Sequence, residues 1–276
     1  MAYFHDPEYE TELFYEVRGE GIPFLLIHGW AIDHFFLMNA LEPVFDTCKT
    51  SYQRIYVDVP GMGESKPGYV KNGDGIVKVL MHLMDELCPE EPFYIGGNSF
   101  GAALSRAILA KYPSRIRGAM LIVPSSGLGD RLPAPEGCFV RDDAFLKTLP
   151  EKDRQAFEMM NANLTKAAWE RYEKLAYPSV LGNENNDFLH KVLKGTFSYD
   201  VNAMLKKQKY KGPVLILTAK YDTAVGYKAQ FDWLEDFVKG TYVVLDGAGH
   251  NIHIDQPEHF EHTVAGWLAS IRHQTG

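Results

Sequence analysis

The chain has 276 residues, is 46% hydrophobic and carries a formal net charge of −8. It can bury a large core, but it lacks the concentrated basic face that nucleic acid or an anionic membrane surface requires, so a small-molecule partner is expected. Met1-Ala2-Tyr3-Phe4-His5-Asp6-Pro7-Glu8 has neither a basic nor an apolar leader character, and apolar runs such as Phe24-Leu25-Leu26-Ile27 are strand-sized. These features predict a cytoplasmic protein without a secretion signal or a spanning helix, and Cys48, Cys88 and Cys138, odd in number and far apart, read as free thiols. Monomer and homodimer both fit this composition.

Taken in order, strands are expected over Leu13–Arg18, Pro23–Ile27, Arg54–Val59, Phe93–Gly96, Arg117–Val123, Pro213–Thr218 and Thr241–Leu245, with helical stretches between them. Several are continuous apolar runs, which suit strands buried on both faces of a mainly parallel, doubly wound α/β sheet. The first two, joined through Gly19-Glu20-Gly21, read as an antiparallel hairpin. From about Leu128 to Lys211 no strand-like run occurs, and Asp143 to Tyr177 is helical, aromatic and methionine-rich. A core domain of 1–127 and 212–276 with a helical cap of 128–211 inserted between two strands follows from this break. Phe145, Phe157, Met159, Met160, Trp169, Tyr172 and Phe188 give that cap an apolar character, shared between its own core and any pocket beneath it. The last helix is expected over Pro257 to Arg272.

The chemistry concentrates at Tyr94-Ile95-Gly96-Gly97-Asn98-Ser99-Phe100-Gly101-Ala102-Ala103. An apolar strand, a glycine-pinched turn and a small-residue helix place one serine at the apex of a sharp bend. Such a bend leaves no room for a Cβ at Gly97 or Gly101, and it aims the amino end of the next helix at charge developing on a substrate. Ala102, Ala103, Ser105 and Ala107 are small enough for that helix to lie close on the sheet, and Tyr112-Pro113 ends it.

A serine nucleophile needs a histidine base and a carboxylate that orients it. His250 follows the strand Thr241–Leu245 through the loop Asp246-Gly247-Ala248-Gly249, whereas His253, His259 and His262 lie in or before the last helix, where exposure is the usual state. Asp222 follows Pro213–Thr218 and precedes Val225-Gly226, which sets it at the same sheet edge. After the strand Arg117–Val123 no acid occurs before Asp130. The backbone amides of Phe100 and of Trp30, in the sharp turn His28-Gly29-Trp30, are the expected oxyanion donors. Asp58-Val59-Pro60-Gly61-Met62-Gly63-Glu64-Ser65 lacks the lysine of a phosphate-binding loop and reads as a turn. His250, His253 and Asp255 have no second cluster at ligand spacing, so no metal and no cofactor are expected. Arg106 and Arg141 are conceivable partners for a substrate carboxylate, but solvent exposure is the expected state of both.

His28-Gly29-Trp30, Asp58-x-Pro60-Gly61-x-Gly63-x-Ser65, Gly97-Asn98-Ser99-Phe100-Gly101, Asp222 and Gly249-His250 together resemble the α/β-hydrolase fold superfamily, in that family's order and over nearly the whole chain. The resemblance implies a Ser99–His250–Asp222 triad and a hydrolase of small carboxylic esters or related acyl compounds working through an acyl-enzyme. Ser99 departs from the aspartate nucleophile of the haloalkane dehalogenases and epoxide hydrolases of this fold. The elbow resembles that of carbon–carbon hydrolases of meta-cleavage products, but Trp30-Ala31-Ile32-Asp33 replaces their glycine-rich loop. Phe100 stands where proline iminopeptidases carry tryptophan. Acyl transfer to an alcohol or peroxide, and a ligand receptor on the same fold, are the competing readings.

Overall fold

The computed structural model describes residues 1–126, 139–182, 187–191 and 193–272. Cys138, Asp130 and the expected boundary at 127/128 lie outside the described residues.

The strands are β1 (Ala2–Asp6), β2 (Thr11–Arg18), β3 (Ile22–Ile27), β4 (Tyr52–Val57), β5 (Phe93–Asn98), β6 (Ile116–Ile122), β7 (Val140–Arg141), β8 (Asn163–Leu164), β9 (Tyr210–Ala219) and β10 (Phe237–Leu245). The helices are α1 (His34–Phe45), α2 (Gly73–Leu87), α3 (Phe100–Lys111), α4 (Asp143–Leu146), α5 (Glu151–Met160), α6 (Lys166–Leu175), α7 (Tyr177–Leu181), α8 (Asp187–Lys191), α9 (Val201–Gln208), α10 (Ile252–Asp255) and α11 (Pro257–Arg272). One eight-stranded sheet has the order β1-β2-β4-β3-β5-β6-β9-β10. It is parallel from β4 to β10, and β1 and β2 run antiparallel at one edge.

The expected hairpin of the first two long strands is corrected here. β2 pairs with β1 and β4, while β3 pairs with β4 and β5. Gly19-Glu20-Gly21 therefore carries the chain past the position that β4 fills. The physical reason is burial: β3 is apolar on both faces and belongs inside the sheet, whereas β2 ends exposed at Val17 and Arg18. The true hairpin is β1–β2, whose first strand is too short and polar to register as a periodic signal.

The alternation of side chains along each strand divides the core. Leu25, Ile27, Ile55, Val57, Ile95 and Leu121 face one way and pack with Ile76, Val79, Leu80, Leu104 and Ile108 of α2 and α3. Phe24, Leu26, Tyr56, Met120 and Leu215 face the other way and pack with Leu37 and Leu41 of α1 and with Phe260, Val264 and Trp267 of α11. Burying each such side chain contributes roughly 1.5–3 kcal/mol. The chain leaves β3 toward β4 on one side and returns to β5 on the other, so the strand order reverses between β3 and β5. In a sheet of this kind the crevice beyond the carboxyl ends of such a strand pair is where ligands bind.

Between β6 and β9 the described chain is mostly helical, with a two-stranded parallel ribbon of β7 and β8. Its core is Phe157, Leu164, Ala168, Trp169 and Tyr172, which pack with Ile32, Phe36 and Ile254 of the sheet-flanking layer. β9 begins at Tyr210, two residues before the expected boundary at 212.

Candidate active site

Ser99 joins β5 to α3 with φ +53° and ψ −115°. A left-handed φ at a residue with a Cβ costs of order 1–3 kcal/mol and persists only where its surroundings enforce it. Three backbone bonds do so. Ser99 N donates to Ile122 O at 2.9 Å, and Ser99 O accepts from Ala103 N at 3.1 Å and Ser125 N at 3.2 Å. A Cβ at Gly97 would sit 2.4 Å from the carbonyl carbon of Gly101, and one at Gly101 would sit 2.1 Å from Ile27 O. Both glycines are needed for close approach of backbone to backbone.

Serine preceding a helix usually caps it by accepting a bond from the first turn. Asp33, Asn72, Asp142, Thr165 and Asp200 do this for α1, α2, α4, α6 and α9. Ser99 occupies the same position on α3 and makes no side-chain cap bond. Its half-buried hydroxyl is thus left at the carboxyl end of β5, above the positive end of a twelve-residue helix.

Asp222, fully buried, accepts from Ala224 N at 2.8 Å and Val225 N at 3.0 Å with Oδ1, which fixes its rotamer. Its Oδ2 lies 2.8 Å from His250 Nδ1. With Nδ1–H directed at the carboxylate, Nε2 is the imidazole nitrogen that carries a lone pair. His250 is 7% exposed. The expected acid and base are therefore joined, and both stand at the sheet edge that carries Ser99. Among the described residues Ser99 Oγ makes no hydrogen bond to the imidazole; such bonds are often long in unliganded enzymes and tighten when substrate binds.

The turn after β3 abuts the elbow, since a Cβ at Gly29 would lie 3.3 Å from Ser99 Cβ. His28 braces it. Val59 N–H donates to His28 Nε2 at 2.9 Å, so the proton is on Nδ1, which donates to Gly29 O at 2.7 Å. Burial holds this imidazole below its ordinary range and so keeps it neutral. Ala31 carries φ +58°, a second strained residue in the same turn. The rings of Trp30 and Phe100 meet edge to face at 5.1 Å, which brings the two expected donor residues together. Phe100 is the first residue of α3, so its amide has no carbonyl partner within the helix.

Two expectations about other polar residues change. His253 is buried, not exposed: its ring packs edge-on against Phe36 at 4.8 Å, and burial pushes it down to about 3. His259 and His262 are exposed as expected. Arg106 is buried as well, bonding Asn202 Oδ1 at 2.6 Å and stacking 3.8 Å over Trp233, so it is a structural tie behind the sheet. Arg141 is exposed and bonds Asp143 and Glu158. Of the apolar residues of the helical segment, Phe157, Trp169 and Tyr172 form the segment's own core and Met159 is exposed. Phe188 lies against Gly61.

Asp58, within the glycine-rich turn, has a role that its spacing did not signal. Its Oδ1 accepts from His34 N at 2.7 Å and from His34 Nδ1 at 2.9 Å, and its Oδ2 accepts from Glu64 N at 2.8 Å. Burial pushes its carboxyl up, but these bonds and the two histidines hold it below the ordinary range. No group of three or more acidic, histidine or cysteine side chains suited to a metal occurs among the described residues, and no described helix is long and apolar enough to cross a membrane.

Comparisons with known proteins agree with this arrangement at the level of the family. The model of the alpha/beta hydrolase fold family matches residues 22–257. An alpha/beta superfamily hydrolase from Oenococcus oeni PSU-1 superposes with a TM-score of 0.84 at 25% identity, covering 99% of this chain and 100% of that one. A thermophilic esterase from Thermogutta terrifontis superposes with a TM-score of 0.70 over 98% of both chains, but at 18% identity it speaks to the fold alone. A pimeloyl-[acyl-carrier protein] methyl ester esterase of Shewanella sp. (strain MR-7) is 27% identical over 119 residues, 43% of this chain and 41% of that protein. The match therefore spans about two fifths of the length of such curated relatives. The family match over most of the chain, on a sheet whose order and elbow are those described above, means that this protein belongs to the α/β-hydrolase fold family.

Proposed function

We propose that the protein is a cofactor-independent serine hydrolase that cleaves small carboxylic esters through an acyl-enzyme. The observation that carries this reading is Ser99 itself: a strained serine at a helix start whose hydroxyl does not cap the helix, at the carboxyl-end edge of the sheet that also carries the Asp222–His250 pair. Esterases among the partial relatives favour an ester over other acyl substrates.

In this reading Ser99 Oγ attacks the ester carbonyl as His250 Nε2 takes its proton. Asp222 holds the ring in the Nδ1–H tautomer and stabilises the imidazolium. The Phe100 and Trp30 amides receive the tetrahedral oxyanion, each donor contributing about 3 kcal/mol. Collapse expels the alcohol, protonated by His250, and water repeats the sequence on the acyl-enzyme to release the acid and regenerate Ser99. The helical segment between β6 and β9 serves as a cap, because Asn251 N donates to Met160 O at 2.9 Å and so fastens that segment to the histidine loop.

The test is a fluorophosphonate probe read by intact mass. One adduct per chain on the wild type, absent in Ser99→Ala and slowed about a thousandfold in His250→Ala, is the expected result. A folded wild type that takes no adduct would overturn the assignment.

A further inference from the structure

Asp255 stands outside the triad, five residues beyond His250 and at the end of α10, yet it is 2% exposed and entirely engaged with backbone. Its Oδ2 accepts from Gly249 N at 2.7 Å and from Ala162 N at 2.7 Å, and its Oδ1 accepts from Asn163 N at 3.2 Å. Gly249 immediately precedes His250, and Ala162 and Asn163 belong to the ribbon end of the helical segment. One carboxylate therefore grips the histidine loop and the segment above it through a shared oxygen. The surroundings repeat the link: Asn251 N donates to Met160 O at 2.9 Å, Asn163 Nδ2 to Asp255 O at 3.4 Å and Arg171 Nε to Ile254 O at 2.8 Å. A Cβ at Gly249 would sit 2.9 Å from Met160 O, so the loop is pressed against the segment's backbone.

We infer that Asp255 is a positioning residue for the general base: its carboxylate fixes the height of the Ala248–Gly249 peptide, one residue before His250, against the Ala162–Asn163 backbone, and so fixes where His250 Nε2 stands above the sheet edge. This rests on the assignment of His250 as the base. The chemistry suits the task at the pH of the test below, because an ionised carboxylate is acceptor-only and its two oxygens can take three converging N–H donors at once. Asp222 fixes the ring's orientation from Nδ1, while Asp255 fixes the main chain from which the ring hangs. Neither constraint substitutes for the other, since the single bond at Nδ1 sets the direction of the ring but not the height of the main chain from which it hangs. A shift of about 1 Å at a proton-transferring group costs on the order of 100-fold in rate.

Asp255→Asn retains the volume and one acceptor oxygen but turns an amide N–H₂ toward backbone donors, which forces at least one of the three bonds to break. The experiment follows fluorophosphonate adduct formation at pH 8 by intact mass, recording rate and final stoichiometry separately, alongside the low-field Nδ1 proton resonance of His250. The expected result for Asp255→Asn is one adduct per chain, formed at least tenfold more slowly, with that resonance shifted or broadened. Wild-type rate at full stoichiometry, or wild-type rate with a reduced labelled fraction, would show that Asp255 merely holds the fold and would overturn the inference. Should Asp255→Asn not fold, Ala162→Pro deletes one donor and keeps the carboxylate: full stoichiometry at a rate at least threefold lower supports the positioning role, and an unchanged rate overturns it. A wild type that takes no adduct at all condemns the triad assignment instead, so the two failures are told apart.

Discussion

Gly97 and Gly101 are glycine for reasons of space and not of torsion, since neither has a positive φ and the strain of the elbow falls on Ser99. Gly101→Ala would push a methyl group to 2.1 Å from Ile27 O, which β3 cannot yield without breaking its pairing with β5. The expected cost is about 3 kcal/mol in urea unfolding, with slower adduct formation at Ser99; an alanine variant of wild-type stability would mean that the elbow is looser than described. Asp222→Asn is the complementary test. It keeps the shape but offers an N–H₂ to a nitrogen that needs an acceptor, so kcat should fall by about 10⁴ with KM little changed. At this scale the sequence was legible wherever a residue ended a buried strand: the placement of Ser99, Asp222 and His250 beyond β5, β9 and β10 could be read from chain order because strand ends are where a parallel sheet presents side chains. Asp255, His34 and Ala31 were not, because their roles depend on which backbone another part of the chain brings near.

Elements tell a similar story with a different failure. Strands β3, β5, β6 and β9 announce themselves as apolar runs, and α11 begins and ends where its proline and charge pattern place it. The pairing of β2 was misread because a glycine-rich connection between two strands suggests a hairpin locally, while the sheet order is decided by which strand is apolar on both faces. The helical segment is bonded to the histidine loop through Met160 O and Asn251 N. Phe157 anchors it, fully buried, with Trp169 at 5.3 Å and Tyr172 at 5.4 Å between ring centres. Phe157→Ala leaves a cavity in a small core and should cost about 3–5 kcal/mol. α5 ends at Met160, whose carbonyl accepts from Asn251 N of the histidine loop, and two residues on Ala162 N donates to Asp255, so the same variant should also lower kcat. Hydrogen exchange that shows loosening confined to the segment while kcat stays at the wild-type value would mean that the segment does not support the base.

Across the whole molecule, two buried groups on one short helix set opposing pH dependences. Burial pushes Asp255 up to about 7 against its three N–H donors and the nearby Arg171, while burial pushes His253 down to about 3. Between about pH 4 and 7 the native state holds a proton on Asp255 that the unfolded chain has released, so this group makes stability fall as pH rises. Between about pH 3 and 6.5 the unfolded chain binds a proton at His253 that the native state refuses, so this group makes stability rise with pH. Each contributes at most about 1.4 kcal/mol per pH unit, and from pH 4 to 6.5 they cancel. Removing one exposes the other. Relative to wild type, the stability of Asp255→Asn should climb with pH across that interval and that of His253→Leu should decline, as read from urea midpoints at pH 4, 5, 6 and 7. Three parallel curves would show that neither group titrates differently in the folded chain, and that the carboxylate between the two backbones is already ionised throughout.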